Sequence, residues 1–189
     1  PTVTAMTTVD ELWYLADEAS QQAEQTYHRL SREHEEYLEF ETTKRVSRER
    51  FRTVAGRIQE NGAPYGAHTL AYRETGELLL VRHDAVGRWV LPGGETDGDE
   101  SFRAAAEREL REEAGIGATY RGLGMLGRVT FYSGDHSTWG VLPLFEAWAS
   151  GEPTAADPDG EISEAAWFDE LPPDTRDREQ LRRWRDRRL

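Results

Sequence analysis

The 189-residue sequence predicts an α/β fold with a helical appendage at its N-terminal end. Residues 1–62 contain two segments whose apolar side chains recur at helical spacing. Residues 63–189 alternate strand-like segments with helix-like ones, which is typical of α/β domains. A glycine-rich turn also precedes a strongly acidic helix inside this second part. We therefore place a helical appendage at residues 1–62 and the main domain at residues 63–189.

The appendage is predicted to contain two amphipathic helices. The apolar positions of the first helix are Leu12, Ala16, Ala19, Ala23, Tyr27 and Leu30. Those of the second helix are Phe51, Val54, Ala55 and Ile58. Ser47 is predicted to cap the start of the second helix, with Val46 and Phe51 forming a hydrophobic staple across the cap, and Asn61-Gly62 to end it. Such a pair cannot bury both apolar faces alone, so packing within the monomer and packing across a homodimer both stay open.

The main domain begins with a predicted β-hairpin. Residues 66–73 and 78–82 read as strands on either side of a turn at residues 74–77. Residues 89–94 lead into the glycine-rich turn, and residues 139–148 read as a buried strand. A late strand at residues 161–168 then precedes a closing helix at residues 176–188.

The turn Pro92-Gly93-Gly94 precedes the acidic helix, which we predict at residues 101–114. Glycine allows positive φ angles and close backbone approach. The helix start has three candidate caps: Asp97, Asp99 and Ser101. Gly115 is expected to end the helix in a left-handed cap.

Three carboxylates fall on one side of this helix at about 100° per residue: Glu109, Glu112 and Glu113. Like charges at this spacing cost a few tenths of a kcal/mol per pair, which a divalent cation would offset. Mg²⁺ binds oxygen ligands and bridges carboxylates to substrate phosphates. A solvated charged face is the alternative, but Glu107 and Arg111 already supply a separate polar side.

The segment from Gly94 to Ile116 resembles the Nudix box at its defining positions. Its pattern is Gly, five residues, Glu, seven residues, then Arg-Glu-aliphatic-any-Glu-Glu-any-Gly-aliphatic. The resemblance covers about residues 66–185. It implies an α/β/α sandwich with a mixed sheet, and metal-dependent hydrolysis of a nucleoside diphosphate linked to another moiety. The cofactor it implies is Mg²⁺, with Mn²⁺ as the alternative.

The same resemblance assigns roles to individual residues. The implied metal ligands are the carbonyl of Gly93 and the carboxylates of Glu109, Glu112 and Glu113, with Glu109 serving either as a ligand or as the general base. The implied catalytic residues are Arg108, Glu109, Glu112 and Glu161. The residues that shape the box are Gly94, Glu100 and Gly115, and Arg108 is expected to pair with Glu100. Some relatives place a further ligand or base in this loop, and Glu161 is ranked first among its acids because it borders the predicted strand. Asp157-Pro-Asp-Gly is also a plain turn signal.

The substrate-binding candidates are Tyr132, His136 and Arg82. In this family a tyrosine about sixteen residues past the box is associated with dinucleoside polyphosphate hydrolases, and a proline there with ADP-ribose hydrolases. Tyr132 holds that position, although either Phe131 or Tyr132 must face inward if the segment is a strand. His136 lies in a loop that borders the substrate pocket in the family. His68, His83 and His136 lack ligand spacing relative to one another, and His68 and His83 are expected to be ordinary strand or loop residues.

The amino-acid composition limits the classes of binding partner that we expect. The net charge of −13 argues against broad nucleic-acid binding, and we interpret the arginine-rich end as pairing with the protein's own acidic surface. No signal sequence and no apolar run of about 18 residues is visible, so we expect a cytoplasmic protein without membrane contact. Lys44 is the only lysine. An acidic, lysine-poor surface resembles proteins of salt-adapted organisms, although an arginine-rich, high-GC genome is an alternative cause.

Two rival functions are considered. A nucleotide-sensing regulator of the same fold could signal through the N-terminal helices without turnover. The intact set of Glu109, Glu112 and Glu113 argues against it. An isoprenoid diphosphate isomerase relies on cysteine, and this chain has none.

Overall fold

A computed structural model describes the backbone of residues 2–189 and the side chains of residues 11–189. The helices are α1 (Thr2–Glu33), α2 (Arg48–Asn61), α3 (Phe102–Ala114) and α4 (Arg178–Arg188). The strands are β1 (Leu38–Arg45), β2 (Ala67–Tyr72), β3 (Leu78–His83), β4 (Arg88–Val90), β5 (Gly93–Gly94), β6 (Thr119–Ser133), β7 (His136–Trp148) and β8 (Ile162–Phe168). None of the described helices is long and apolar enough to cross a membrane.

The chain divides into two compact units. The first contains residues Pro1–Glu35, Glu39–Tyr65 and Leu126–Leu142. The second contains Glu36–Leu38, Gly66–Met125 and Pro143–Leu189.

In the first unit, α1 packs against α2. Both helices bury the predicted apolar positions, with one exception. Thr26 is buried where the sequence analysis placed Tyr27, and its hydroxyl donates to the carbonyls of Gln22 and Asn61. Tyr27 instead lies half-buried, with its ring against Trp139.

The predicted ends of α2 are confirmed. The Ser47 hydroxyl accepts a hydrogen bond from the Arg50 amide at 3.1 Å, and Gly62 ends the helix at φ +89°. The structure adds strand β1, which the sequence analysis did not predict, between the two helices. Phe40 is the buried residue of β1, and its ring lies against Gly127 of β6.

In the second unit, β2 is the central strand of a mixed sheet. It pairs in parallel with β7 and antiparallel with β3 and β5, while β3 also pairs antiparallel with β4 and β8. The Thr69 hydroxyl donates a hydrogen bond to the Ala106 carbonyl of α3. Leu70, in contrast, lies beside Trp184 of α4, since a Cβ atom on Gly124 would contact both side chains. Neighbouring strand residues point to opposite faces, so the two helices cover opposite faces of this sheet. The expected α/β/α arrangement with a mixed sheet is confirmed.

The core on the α3 side is assembled from the sheet, the helix and its capping loop. Its buried members are Ala71, Leu79, Val81, Val90, Leu110, Ala114, Ile116, Ala149 and Ile162.

On the other face of the sheet, arginines of helix α4 bind acidic side chains and a carbonyl group of the same chain. Arg188 pairs with Glu146 at 3.0 Å, Arg182 pairs with Glu179 at 3.3 Å, and Arg185 donates to the Asp169 carbonyl.

Candidate active site

The glycine turn is packed too closely for any side chain. Its strand β5 pairs with β2, with Gly93 opposite His68 and Gly94 opposite Ala67. A Cβ atom on Gly93 would collide with the Ala67 carbonyl and the His68 ring, and one on Gly94 would lie 2.7 Å from a Glu109 carboxylate oxygen. Neither Gly93 nor Gly94 has a positive φ angle. Close approach is therefore the reason for both glycines.

Helix α3 begins and ends at predicted residues. Of the three candidate caps, Ser101 is the one used, because its hydroxyl accepts from the Ala104 amide at 3.1 Å. Gly115 ends the helix at φ +69°, and its amide donates to the Arg111 carbonyl. Glu107 pairs with Arg111 at 3.3 Å on the separate polar side.

Arg108 joins the turn to the helix. Its Nε and Nη2 each donate to Glu100 at 3.0 Å, and Nη2 also donates to the Glu95 carbonyl at 3.0 Å. Its Nη1 donates to Glu109 at 2.9 Å and to Glu112 at 3.2 Å. The expected pairing with Glu100 is present, and the same guanidinium also holds two of the three clustered carboxylates. This arginine lowers the pKa of Glu100.

Glu113 is the buried carboxylate of the set, with 7% of its surface exposed. It accepts a hydrogen bond from the Gly93 amide at 3.2 Å. Burial is the main cause that raises its pKa to about 9, and the negative charges of Glu109 and Asp157 add to the effect. Burial also raises the pKa of Glu109, although Arg108 opposes the shift.

The donor atoms suit a hard divalent cation. All are oxygens, the preferred ligands of Mg²⁺, and the Glu113 carboxyl group is buried. Within residues 11–189, no group of three acidic, histidine or cysteine side chains forms a ready ion-binding cluster. Arg108 Nη1 is bonded to two of the three clustered carboxylates, Glu109 and Glu112.

The loop before β8 is an ordered turn, as its sequence predicts. The Asp157 carboxylate accepts from the amides of Glu161 at 2.8 Å and Ile162 at 3.2 Å. Its charge contributes to the raised pKa of Glu113. Glu161, the acid that we ranked first in this loop, pairs with His83 at 3.4 Å. Asp157 is thus the loop acid whose charge acts on Glu113, whereas the sequence analysis ranked Glu161 first.

His68 was interpreted from the sequence as an ordinary strand residue. It lies on β2 against Gly93, is 6% exposed, and its Nδ1 has no hydrogen-bond partner. Burial, and then the charge of Arg176, lower its pKa to about 3, so the imidazole is neutral. The available sequence signal was a histidine in the strand Ala67–Tyr72, whose only other strongly polar residue is Thr69.

Arg82 lies on β3, near the strand end. It forms an ion pair with Asp174 and lowers the pKa of that carboxyl group. Its guanidinium also lies 6.0 Å from the centre of the Trp89 ring, which packs edge-on against Phe168.

Tyr132 and His136 belong to the first unit. Tyr132 lies near the end of β6, and His136 is the first residue of β7, so the expectation that His136 lies in a loop was wrong. Tyr132 is 37% exposed, and the Arg45 guanidinium lies 5.8 Å from its ring centre. Phe131 is the fully buried member of the pair, which answers the question of which residue faces inward. His136 lies beside Trp13, at 4.4 Å between ring centres, and Phe51, at 6.1 Å. Their roles in substrate binding stay predictions.

The fold and the site define an α/β domain in which a glycine turn and an acidic helix gather carboxylates. The NUDIX domain family matches residues 62–186, and the chain belongs to this family.

Two curated relatives are similar to part of the chain. A Bacillus subtilis protein provisionally named 8-oxo-dGTP diphosphatase is 36% identical over 91 residues, which are 48% of this chain and 61% of that protein. The Escherichia coli CTP pyrophosphohydrolase is 48% identical over 48 residues, 23% of this chain and 36% of its own length. The matches thus span less than two thirds of either relative.

Among solved structures, the NUDIX domain of Shewanella oneidensis NrtR, in complex with ADP-ribose, has a TM-score of 0.53 at 21% identity. The likeness covers 65% of this chain and 86% of that one, and it concerns the fold.

Proposed function

We propose that this protein is a divalent-metal-dependent pyrophosphohydrolase that hydrolyses a nucleoside diphosphate linked to another moiety. The observation that carries the proposal is the contact of two α3 carboxylates with the glycine turn: Glu113 accepts from the Gly93 amide and Glu109 lies against Gly94, while Arg108 bonds both Glu109 and Glu112. Gathering three carboxylates on one helix is unfavourable without a cation.

The ligands that we propose for Mg²⁺ or Mn²⁺ are the Gly93 carbonyl and the carboxylates of Glu109, Glu112 and Glu113. When bound, such an ion neutralises phosphate oxygens and stabilises the charge that develops on the leaving group.

The chain's own residues supply the remaining parts. Arg108 orients Glu109 and Glu112 through Nη1 while its other nitrogens hold Glu100. Glu109 is half-buried with a raised pKa, and a more basic carboxylate accepts a proton from water more readily. We therefore assign Glu109, either as a ligand or as the base, and place Glu161 as the alternative base. Tyr132, His136 and Arg82 stay the candidates for substrate contacts.

The test is a hydrolysis assay with several candidate substrates. These are chosen from the names of the relatives and from the association of a tyrosine at the position of Tyr132 with dinucleoside polyphosphate hydrolases. We would incubate the protein with CTP, 8-oxo-dGTP, ADP-ribose and a diadenosine polyphosphate, with Mg²⁺, Mn²⁺ or chelator, at low and high salt. Product masses in ¹⁸O-labelled water identify the bond that is cut.

We expect metal-dependent cleavage of a phosphoanhydride bond, with one ¹⁸O atom in one product. Tight binding of a nucleotide without turnover under all conditions would contradict the proposal and favour the regulator.

A further inference from the structure

Strand β1 lies at the edge of the sheet. It pairs with β6, and no second strand among those that the structure describes pairs with it. An edge strand leaves one row of backbone N–H and C=O groups without strand partners, and another chain can pair with that row. β1 has eight residues, so the row is long enough to pair with a further strand.

Four residues of β1 direct their backbone groups away from β6. The Val46 amide donates to the Tyr132 carbonyl of β6 at 2.9 Å, so the N–H group of residue 46 points toward β6. Successive residues of a strand direct their N–H and C=O groups to opposite edges. The residues that point outward are therefore Glu39, Glu41, Thr43 and Arg45. Their side chains also share one face of the strand, where all four are exposed.

The charges of β1 have opposite signs in its two halves. Glu39 and Glu41 lie in the first half, and Lys44 and Arg45 lie in the second. Opposite charges that face each other across two strands stabilise the pair, whereas like charges destabilise it. A second β1 strand that runs antiparallel places the acidic half of each strand opposite the basic half of the other. A second β1 strand that runs parallel in register would place like charges together.

The backbone restricts the register of such an antiparallel pair. Partners that exchange hydrogen bonds must both direct their backbone groups across the interface, so the outward-pointing residues must face one another. The register that uses all four places Glu39 opposite Arg45 and Glu41 opposite Thr43. Its two-fold axis passes beside Thr42, which faces Thr42 of the second copy.

We propose that β1 is a dimerisation edge, at which β1 of a second copy of this chain pairs antiparallel about Thr42. Glu39 of each copy then lies opposite Arg45 of the other. The occupant is a second copy because the charge pattern of β1 is complementary to itself in the one register that pairs every outward-pointing residue. Pairing also removes the exposed edge, which is a template for unwanted association.

The first test is a disulfide across the two-fold axis in the full chain, which has no cysteine of its own. Thr42→Cys places two thiols on a pair whose Cα atoms are about 4.5 Å apart, within the range of a disulfide. Thr43→Cys is the matched control, because its counterpart is a diagonal neighbour at about 7–8 Å. After air oxidation, we expect Thr42→Cys to run at the dimer mass in non-reducing electrophoresis, and Thr43→Cys at the monomer mass.

The second test exchanges the charges. We expect the wild type to be a dimer by sedimentation equilibrium. Arg45→Glu and Glu39→Arg each place like charges opposite one another, so each should raise the dimer dissociation constant about tenfold or more. An equimolar mixture of the two variants restores opposite charges and should recover the wild-type association. Glu41→Gln should associate like the wild type, because Thr43 lies opposite.

A wild type that stays monomeric at every concentration would overturn the proposal and leave the edge free or open to another strand. Cross-linking of Thr43→Cys in place of Thr42→Cys would overturn it, as would a mixture that associates no better than its separate components. A dimer that neither charge change weakens would show that another surface, such as the helix faces, holds the two copies together. If Thr42→Cys does not fold, the mixture decides.

Discussion

Glu100 and Glu113 lie on the same site and have pKa values shifted in opposite directions. The hydrogen bond from the Arg108 guanidinium lowers the pKa of Glu100, whereas burial raises the pKa of Glu113 to about 9. Arg108 also bonds Glu109 and Glu112, but the structure shows no bond from it to Glu113. The buried carboxyl group that has no bond to Arg108 therefore has a raised pKa, whereas Glu100, which Arg108 holds, has a lowered one.

This difference predicts a pH dependence in the metal-free protein. A carboxyl group whose folded-state pKa exceeds its unfolded value stabilises the fold while it is protonated. For Glu113 the contribution is complete below about pH 4.5 and is lost as the pH rises through about 9.

Urea unfolding in the presence of chelator should therefore show the Glu113 contribution to stability falling across this range. Glu113→Gln is the comparison, because its side chain stays neutral. Its stability should depend less steeply on pH than that of the wild type. Equal slopes for the two proteins would contradict the raised pKa.

The sequence predicted some contacts of the candidate site residues but not all of them. Helical spacing placed Glu109, Glu112 and Glu113 on one face, and the family resemblance paired Arg108 with Glu100. The additional bonds of Arg108 depend on its rotamer, which spacing does not specify. The position of His68 depends on the pairing of β5 with β2, a contact between segments about 25 residues apart.

At the scale of secondary-structure elements, the features that depend on local sequence were predicted best. Ser47, Gly62, Ser101 and Gly115 cap their helices as expected, because caps depend on a few neighbouring residues. Strands β1 and β6 were not predicted. In β1 one residue, Phe40, is buried, and its contact is with Gly127, 87 positions further along the chain. No local pattern reveals such a pairing.

Helix α2 is expected to stabilise the first unit by packing alone. Ile58 is fully buried, and a Cβ atom on Gly140 would come 2.8 Å from its Cγ1 atom. Ile58→Ala should lower the free energy of unfolding by about 2–5 kcal/mol, since it leaves a cavity. Arg52→Ala, at an exposed position of the same helix, should change it by less than about 0.5 kcal/mol.

Both free energies can be measured by denaturant unfolding followed by circular dichroism. Similar losses for the two variants would show that burial of Ile58 is not what stabilises this helix.

At the scale of the whole molecule, the net charge of −13 creates self-repulsion. The screening length falls from about 30 Å at 0.01 M ionic strength to about 3 Å at 1 M. We therefore expect the thermal midpoint to rise by several degrees as NaCl increases over this range, a shift of about 1 kcal/mol in stability.

A variant with Glu60, Glu74 and Glu170 changed to Gln has three fewer negative charges at exposed positions. Its midpoint should rise less with salt than that of the wild type. If both proteins respond equally, screening of self-repulsion is not the cause.

The central claim is that the clustered carboxylates of α3 serve metal-dependent hydrolysis. The most direct measurement is the rate of phosphoanhydride cleavage with Mg²⁺ for the wild type, Glu112→Gln and Glu107→Gln. Glu107 lies on the separate polar side of the same helix, where it pairs with Arg111. We expect Glu112→Gln to lose at least about 10²-fold in rate, because charge stabilisation at the reacting phosphate is lost. Glu107→Gln should keep the wild-type rate, and near wild-type turnover by Glu112→Gln would contradict the account.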